Sequence, residues 1–470
     1  MTSSPQRLTA AVFGALALLG VALGGWYARR GGQPTPANNL ILISIDTLRA
    51  DHLGIYGYDR DTSPHLDRFA RASILFKRAI AQAPSTRPSH MSLFTSLYQS
   101  TFNPSLTEEP RLPDWPVTLA ELLKAHGFAT WGFVDGGNMR RIFGFDQGFD
   151  HYADLQVDDP RYQNVILRLG IKGILQQVER WLDTHPVSRF FLFVHCYDVH
   201  TPYVKPPPYD RMFGDPEYRG NFEPIAEKFI EVNAGRLRMT PEDLRDVIAR
   251  YDGGIRYTDE HLGGFFKRLA QRGLLDSTVV VVTADHGEEF LDHGKMMHTQ
   301  LYFDSGLHVP LLFFVPGETA RTVEDSVELI DVLPTVLELL GLPPDPAAMG
   351  RSLVPFIRGR RPAPDGERVA YAEPSRLANP LRTVVSDRYQ LLQDTRSGGQ
   401  QLFDLAADPR LTTNVAAREP GAAARLLAAL EQHRQRIEAV RPRDLPAPAA
   451  TISLDEATRA ELRALGYVED

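Results

Sequence analysis

The stretch LILISID at residues 40–46 decides the fold of this chain. Its nearly unbroken apolar character, ending at an aspartate, is typical of a strand that is buried on both faces of a parallel sheet. Two later runs have the same form: FFLFV at 190–194 leads into His195, and TVVVVT at 278–283 is followed closely by Asp285. The repetition predicts a sheet whose central strands end in polar side chains.

Helical patterns lie between these runs and a fourth apolar run, LLFFV at 311–315. The helical patterns cover residues 64–71, 117–126, 174–182 and 251–272. Such alternation predicts an α/β fold with a mostly parallel central sheet sandwiched by helices. Ligands of these sheets bind at the carboxyl ends of the strands. We therefore expect Asp46, His195 and Asp285 to meet at one edge of the sheet.

Composition excludes several classes of protein. Hydrophobic residues make up 43% of the chain and charged residues 23%, which is ordinary for a globular protein. The net charge is -8 and no long basic run is present, which argues against a nucleic-acid-binding surface. Cys196 is the single cysteine, so an intrachain disulfide and a Cys-rich zinc site are both excluded.

A second informative stretch is STRPSHMSLFT at residues 85–95. Residues 89–95 look helical, which places Thr86 at the N-terminus of a helix. The helix dipole and the unpaired N–H groups favour an anionic oxygen there, and coordination to a metal would lower the pKa of the hydroxyl further. The alternative is that Thr86 only caps the helix.

A third stretch, DHGE at residues 285–288, follows the predicted strand at 278–283. The adjacent Asp285 and His286 can both face a metal, because a turn at the strand end breaks the alternation of side chains. His293 and His298 add imidazoles downstream. The alternative is an exposed polar turn.

Taken together, these stretches resemble the sulfatase family of the alkaline phosphatase superfamily. The matching strings include DTLRADHLG at 46–54, STRPS at 85–89, HCYDVHTPY at 195–203 and DHGE at 285–288. The resemblance covers most of residues 40–415. It implies the alkaline phosphatase-like fold, a divalent metal ion and hydrolysis of an ester bond.

The resemblance also implies roles for individual residues. The implied metal ligands are Asp46, Thr86, Asp285 and His286. The implied catalytic residues are Thr86 as nucleophile, with His200 and His298 contacting the transferred group or the leaving oxygen. His195 and Asp198 are less specific and are expected to orient His200.

Four positions depart from the family pattern. Thr86 stands where the family has a Cys or Ser that is oxidised to formylglycine, and Thr47 replaces the second of two aspartates. His90 replaces an Arg, and Met297 replaces a Lys. One carboxylate fewer and several imidazoles favour zinc or manganese, whereas calcium is expected if the chain is a true sulfatase.

Thr86 bears directly on the reaction. A formylglycine hydrate releases sulfate by eliminating to an aldehyde, and threonine lacks the second hydroxyl that this requires. Its covalent intermediate must be displaced by water or another acceptor, which favours phosphate or phosphonate esters, while overall similarity favours sulfate. We predict a metal-dependent hydrolase of small-molecule, glycan or lipid esters of these acids. The alternatives are a membrane-anchored transferase of the phosphoethanolamine type and a non-catalytic binding protein.

The N-terminus predicts a membrane anchor. Residues 8–27 are apolar and long enough to cross a bilayer, and the segment is longer than the core of a cleaved signal peptide. Trp26 and Tyr27 resemble an interfacial anchor. Arg29 and Arg30 favour by charge a cytoplasmic body. We nevertheless expect the body to be extracytoplasmic, periplasmic or at the cell surface, because sulfatase-like enzymes usually act there.

The chain is therefore predicted to have four parts. They are an anchor at 1–30, a linker at 31–39, a sulfatase-like catalytic domain at 40–345 and a smaller C-terminal α+β subdomain at 346–470. The last part contains a few strands, an Ala/Leu-rich helix at 420–437 and a final short helix after residue 450.

Overall fold

The structure is a computed structural model that describes residues 37–102, 111–154, 170–185, 189–298, 300–360, 368–374, 381–442 and 454–466. The strands of this part are β1 Asn39–Ile45, β2 Ile74–Ile80, β3 Ala129–Val134, β4 His151–Asp154, β5 Phe190–Cys196, β6 Thr278–Thr283, β7 Glu289–Phe290, β8 Met296–Met297, β9 His308–Phe314, β10 Arg321–Glu328, β11 Val369–Ala372, β12 Leu381–Ser386, β13 Tyr389–Asp394 and β14 Gln400–Asp404. The α-helices are α1 Pro64–Ala70, α2 Thr86–Thr95, α3 Gln99–Phe102, α4 Leu119–Ala125, α5 Gly170–Thr184, α6 Ala226–Asn233, α7 Pro241–Gln271, α8 Val332–Leu339, α9 Val354–Ile357, α10 Pro420–Val440 and α11 Glu456–Ala464.

An eight-stranded sheet in the order β10-β2-β9-β6-β1-β5-β3-β4 forms the centre of the molecule. Every residue of β1, β5 and β6 is buried, as their continuous apolar runs predict. The pairings β1–β5, β1–β6, β3–β5, β3–β4 and β2–β10 are parallel. The predicted fold class, a mostly parallel sheet between helices, is confirmed.

Strand β9 runs antiparallel to both of its neighbours, β2 and β6. The described chain between β6 and β9 contains the short β7–β8 hairpin and one π-helical turn, Phe303–Leu307, and no helix that could carry it across the sheet. It therefore re-enters the sheet from the edge at which β6 ended. The predicted run at 311–315 is a strand, but the sequence did not indicate its direction.

Helix α7 begins at Pro241, well before the start predicted at 251. Thr240 and Asp243 form a reciprocal capping box, and Pro241 occupies the first helical turn, where its missing N–H costs nothing. These local signals extend the helix through a stretch whose apolar pattern is weak.

Two glycines of α7 position the loop that follows β5. A Cβ atom at Gly253 would lie 2.1 Å from the carbonyl oxygen of Tyr209, and one at Gly254 would lie 2.8 Å from that of Asp198. Because neither residue has a side chain, the loop that carries His200 packs directly on the helix backbone.

Strands β11 to β14 and helix α10 form a smaller unit. Strands β11 to β14 make a four-stranded antiparallel sheet, and α10 packs on β12 and β13. This unit confirms the α+β character predicted for the C-terminal part, while the boundary at 345/346 stays a prediction. In the described residues no helix has the length and apolarity to cross a bilayer, and the predicted anchor at 1–30 lies outside them.

Candidate active site

Three neighbouring strand ends build the floor of the site. Asp46 follows β1, His195 is the penultimate residue of β5, and Asp285 follows β6. Ser44 of β1 is in register with His195 on one side and with Thr283 on the other. The strands are parallel, so their carboxyl ends coincide, and the three polar side chains meet at the edge where they were expected.

Helix α2 brings Thr86 to the same edge. Thr86 is the first helical residue, after Ser85 as N-cap, and its side chain is fully buried. Its Oγ1 lies 3.3 Å from Oδ2 of Asp46, to which it donates, and 3.4 Å from Nε2 of His286. The hydroxyl therefore faces the carboxylate and the imidazole, as a nucleophile at a shared metal would.

Asp46, Asp285 and His286 offer ligand atoms that all lie within 4.8 Å of one another. All three are fully buried. Oδ1 of Asp285 accepts N–H bonds from Thr47 and His286, whereas its buried Oδ2 makes no hydrogen bond within the described residues. A buried carboxylate oxygen without a partner is costly. A divalent cation bound here would remove that cost, so the donor set fits a metal.

The tautomer of His286 also suits a metal ligand. Its Nδ1–H donates to the carbonyl oxygen of Gly287 at 2.9 Å. Nε2 is therefore the unprotonated nitrogen, and it lies 3.4 Å from both Oδ2 of Asp285 and Oγ1 of Thr86. Hydrogen bonds of this kind hold metal-binding imidazoles in their ligating form.

Thr47 turns the chain sharply after Asp46. Its φ is 56°, a left-handed conformation that is strained for a β-branched residue. The turn directs the Thr47 N–H to Oδ1 of Asp285 at 3.2 Å, and the Thr47 hydroxyl returns to the carbonyl oxygen of Asp46 at 2.8 Å. The residue that replaces a carboxylate in the family pattern therefore holds the two remaining aspartates together.

His200 and His298 form a second group beside His286. The ring of His298 lies 4.5 Å from that of His286 and 5.0 Å from that of His200. His200 donates through Nδ1 to the carbonyl oxygen of Thr201. Both predicted catalytic histidines are thus close to the metal-ligand cluster.

Glu288 holds His298 in place. Its Oε1 lies 3.0 Å from Nδ1 of His298, and its Oε2 accepts a hydrogen bond from the Tyr203 hydroxyl at 2.7 Å. The carboxyl group is fully buried. Burial raises the pKa of Glu288 to about 7, against the opposing effect of the Tyr203 bond. No pattern in the sequence singled out Glu288, although it belongs to the DHGE string at 285–288.

His90 links the nucleophile helix α2 to strand β1. Its Nδ1–H donates to the carbonyl oxygen of Thr86, and its Nε2 accepts from the Ser44 hydroxyl, each at 2.9 Å. Burial, together with the neighbouring His195, lowers the pKa of His90 to about 3, so the ring is neutral. Both of its nitrogens are occupied, so His90 ties the first turn of α2 to β1 and is a poor candidate for a metal ligand.

Three further residues named in the sequence analysis have contacts of their own. His195, expected at this edge and as a residue that orients His200, approaches Asp46, with its Nε2 3.3 Å from the Oδ2 atom of Asp46. Asp198, expected to orient His200, instead accepts from the N–H of Ile171 and from Lys205. His293 pairs with Asp304, away from the metal-ligand group. The register of β5 against β1 sets the approach of His195 to Asp46.

The site and the similarity to sulfatases together define an ester-bond hydrolase. A family model described as "Sulfatase" matches residues 38–342, and one described as "N-sulphoglucosamine sulphohydrolase, C-terminal" matches residues 292–439. The first covers more than half of the chain, and the chain belongs to the sulfatase family.

Several proteins are similar to this chain over most of its length. The ulvan-active sulfatase of Formosa agariphila is 26% identical over 410 residues, which cover 82% of this chain and 78% of that protein. The Delta 4,5-hexuronate-2-O-sulfatase of Bacteroides thetaiotaomicron is 24% identical, covering 85% and 88%. The phosphonate monoester hydrolase of Agrobacterium radiobacter has a TM-score of 0.68 at 23% identity, covering 86% and 96%.

Proposed function

We propose that this chain is a metal-dependent hydrolase of phosphate or phosphonate esters that uses Thr86 as its nucleophile. One observation carries the proposal: the Thr86 hydroxyl lies at a helix N-terminus within 3.4 Å of both Asp46 and His286. Asp46, Thr86, Asp285 and His286 would hold the cation. When bound, the cation would polarise the ester and lower the pKa of the nearby hydroxyl.

In the first half-reaction the Thr86 oxygen attacks phosphorus and the bond to the leaving oxygen breaks. The hydroxyl proton has an acceptor in Oδ2 of Asp46 at 3.3 Å. The N–H groups at the start of α2 face the charge that develops on the transferred group. The product of this step is an ester of Thr86 and a free alcohol.

The leaving oxygen takes its proton from His298. The Glu288 carboxylate holds Nδ1 of His298, so the transferred proton comes from Nε2, and the negative charge stabilises the imidazolium. His200, beside His298, contacts the oxygens of the transferred group.

In the second half-reaction water attacks phosphorus and the Thr86 oxygen leaves as a hydroxyl. The choice of phosphorus over sulfur follows from Thr86, which has no second hydroxyl for the elimination open to a formylglycine hydrate. The names of the ulvan-active sulfatase and the Delta 4,5-hexuronate-2-O-sulfatase would instead favour glycan sulfates, so both ester classes belong in one assay. 

The test is a side-by-side assay of an aryl sulfate, an aryl phosphate diester and an aryl phosphonate with the metal-loaded protein. We expect turnover of a phosphorus ester, with kcat/KM above that for the sulfate. Turnover of sulfate alone would contradict the choice of phosphorus. Transfer of the group to an added alcohol without any hydrolysis would indicate a transferase instead.

Glu288→Gln is expected to lower kcat/KM by roughly 10–100-fold, as is typical when a residue that supports a catalytic or metal-bound imidazole is changed. The loss should grow as the pKa of the leaving alcohol rises, because poor leaving groups depend most on proton donation. A series of aryl esters with graded leaving-group pKa values measures this slope.

Glu289→Gln is the matched control. Glu289 is also buried, and burial also raises its pKa to about 7, but it accepts hydrogen bonds from Ser305 and Gln300 rather than from His298. This variant should keep the slope of the parent protein. An equal loss for every leaving group in Glu288→Gln would exclude proton donation through His298.

A further inference from the structure

The final helix, α11, packs on segments that border the active site although it is far from them in sequence. Its buried face consists of Thr458, Glu461, Leu462 and Leu465, each at most 2% exposed. The helix contacts the turn Gly137–Met139 and helix α6. Neither contact is indicated by any motif of the catalytic domain.

On one side, α11 is fastened to the turn that borders the nucleophile helix. Oε1 of Glu461 accepts the N–H of Gly137 at 2.7 Å, and its Oε2 lies 3.7 Å from Nη1 of Arg140. Arg140 also donates to the Thr458 hydroxyl. The same turn packs on α2, the helix that begins with Thr86.

That turn leads directly to the catalytic histidines. The N–H of Asn138 donates to the Tyr197 hydroxyl at 2.9 Å, and the Tyr197 ring lies 5.5 Å from that of His200 and 4.8 Å from that of His195. Glu461 is therefore connected to His200 through one turn and one aromatic side chain.

The glycines of the turn make room for this contact. Gly136 and Gly137 have φ values of 75° and 56°. A Cβ atom at Gly136 would lie 2.8 Å from Oε1 of Glu461, and one at Gly137 would lie 2.8 Å from the Tyr197 ring. The helix and Tyr197 thus fill the space that side chains at these two positions would otherwise occupy.

On its other side, the chain just after α11 reaches β8, the strand that ends one residue before His298. A Cβ atom at Gly466 would lie 2.3 Å from Cε of Met297, the residue before His298, and 3.1 Å from Cβ of Ala226. Asn233 of α6 in turn bonds both the N–H and the carbonyl oxygen of Met296. The C-terminal segment therefore contacts both the turn that leads to His200 and the residue that precedes His298.

We propose that α11 is a wall of the active site that limits the size of the leaving group. Substrates would be esters of small alcohols or phenols, and esters with bulky or polymeric leaving groups would be excluded by the helix. The inference rests on the proposed ester hydrolysis at this site. The residue that fastens the wall is Glu461, which acts by position and does not touch the reacting atoms.

The test uses Glu461→Ala in the full-length chain. The variant removes the acceptor of the Gly137 N–H and the partner of Arg140, so the helix should detach and the site should widen. We expect the ratio of kcat/KM for a bulky aryl ester to that for phenyl ester of the same acid to rise by about tenfold, a normal size for steric discrimination in a pocket. Hydrogen exchange of residues 456–464 reports whether the helix has detached.

Two other glutamate substitutions in α11 serve as controls. Glu456→Ala changes an exposed glutamate of the same helix and should leave the ratio unchanged. Glu461→Gln keeps an acceptor for the Gly137 N–H, and its kcat/KM ratio should stay close to that of the parent protein.

Leu465→Asp is a second variant that should detach the helix. It places a charge at the fully buried C-cap position and should detach α11 even if Glu461→Ala does not.

The outcomes separate the two proposals. Suppose that the amide hydrogens of α11 exchange freely in Leu465→Asp while the kcat/KM ratio of bulky to phenyl ester equals that of the parent protein. The helix then has only a structural role, and the inference is wrong. If the parent protein hydrolyses none of the esters when loaded with metal, the proposed function itself fails. A raised ratio in both detaching variants supports the wall.

Discussion

Thr86→Ala is expected to lower kcat/KM by at least about a thousandfold, because the residual rate then depends on binding and electrostatics without a nucleophile. The expectation comes from the placement of the hydroxyl, 3.3 Å from Asp46 and 3.4 Å from His286 at the start of α2. Steady-state kinetics on the best aryl ester measure the loss, and rapid quenching followed by mass spectrometry should find the covalent ester on the Thr86 peptide of the parent protein.

Two matched variants test whether the loss in Thr86→Ala comes from the missing hydroxyl. Ser85→Ala alters the adjacent N-cap residue, whose side chain makes no capping bond, and should retain most activity. Thr86→Ser keeps the hydroxyl and should retain far more activity than Thr86→Ala. Parent-like turnover by a folded Thr86→Ala protein would rule out the nucleophile and would favour direct attack by water.

Removal of the metal is expected to abolish turnover, and Asp285→Asn should do the same in the presence of metal. In the parent protein two buried carboxylates face one another, and Oδ2 of Asp285 makes no hydrogen bond within the described residues. A metal present at one hundred times its Kd would stabilise the folded state by about 2.7 kcal/mol. The melting temperature of the parent protein should therefore rise when metal is restored after chelation.

The melting temperature of Asp285→Asn should differ from that of the parent protein in two respects. Its metal-free form should melt above that of the parent, because a buried negative charge has been removed and Oδ1 can still accept its two N–H bonds. Its melting temperature should change little on addition of metal. Asp404→Asn, a carboxylate of the C-terminal sheet paired with Arg388, should follow the parent in both tests.

The metal experiment also identifies the ion. Zinc and manganese are the expected occupants, because a neutral imidazole and two carboxylates form a mixed donor set, whereas calcium prefers oxygen ligands. Full activity in protein that elemental analysis shows to be metal-free would contradict the proposed mechanism. Restoration by calcium alone would contradict the expected choice of ion.

Much of this fold could be predicted from local patterns. The buried strands β1, β5 and β6 were visible as continuous apolar runs, and the start of α2 at Thr86 followed from its helical stretch. The polar residues at those strand ends, Asp46 and Asp285, meet as parallel topology requires. Local patterns were sufficient here because each depends on the chain over only a few residues.

Other features depended on contacts between distant segments. The direction of β9 and the support of His298 by Glu288 are set by register and packing. The helix α11 was expected as a short helix after residue 450, but nothing in its sequence indicates a position beside the active site.

The sequence by itself determined the fold class, the family and the candidate metal-ligand residues, because buried strands and the residues that end them have a strong local signature. Only the tertiary structure decided which neighbouring side chains support those residues and which distant segments pack beside them. Glu461 illustrates the reason: its partner Gly137 lies more than 300 residues away. Such a contact depends on how the whole chain packs, and no short stretch of sequence contains it.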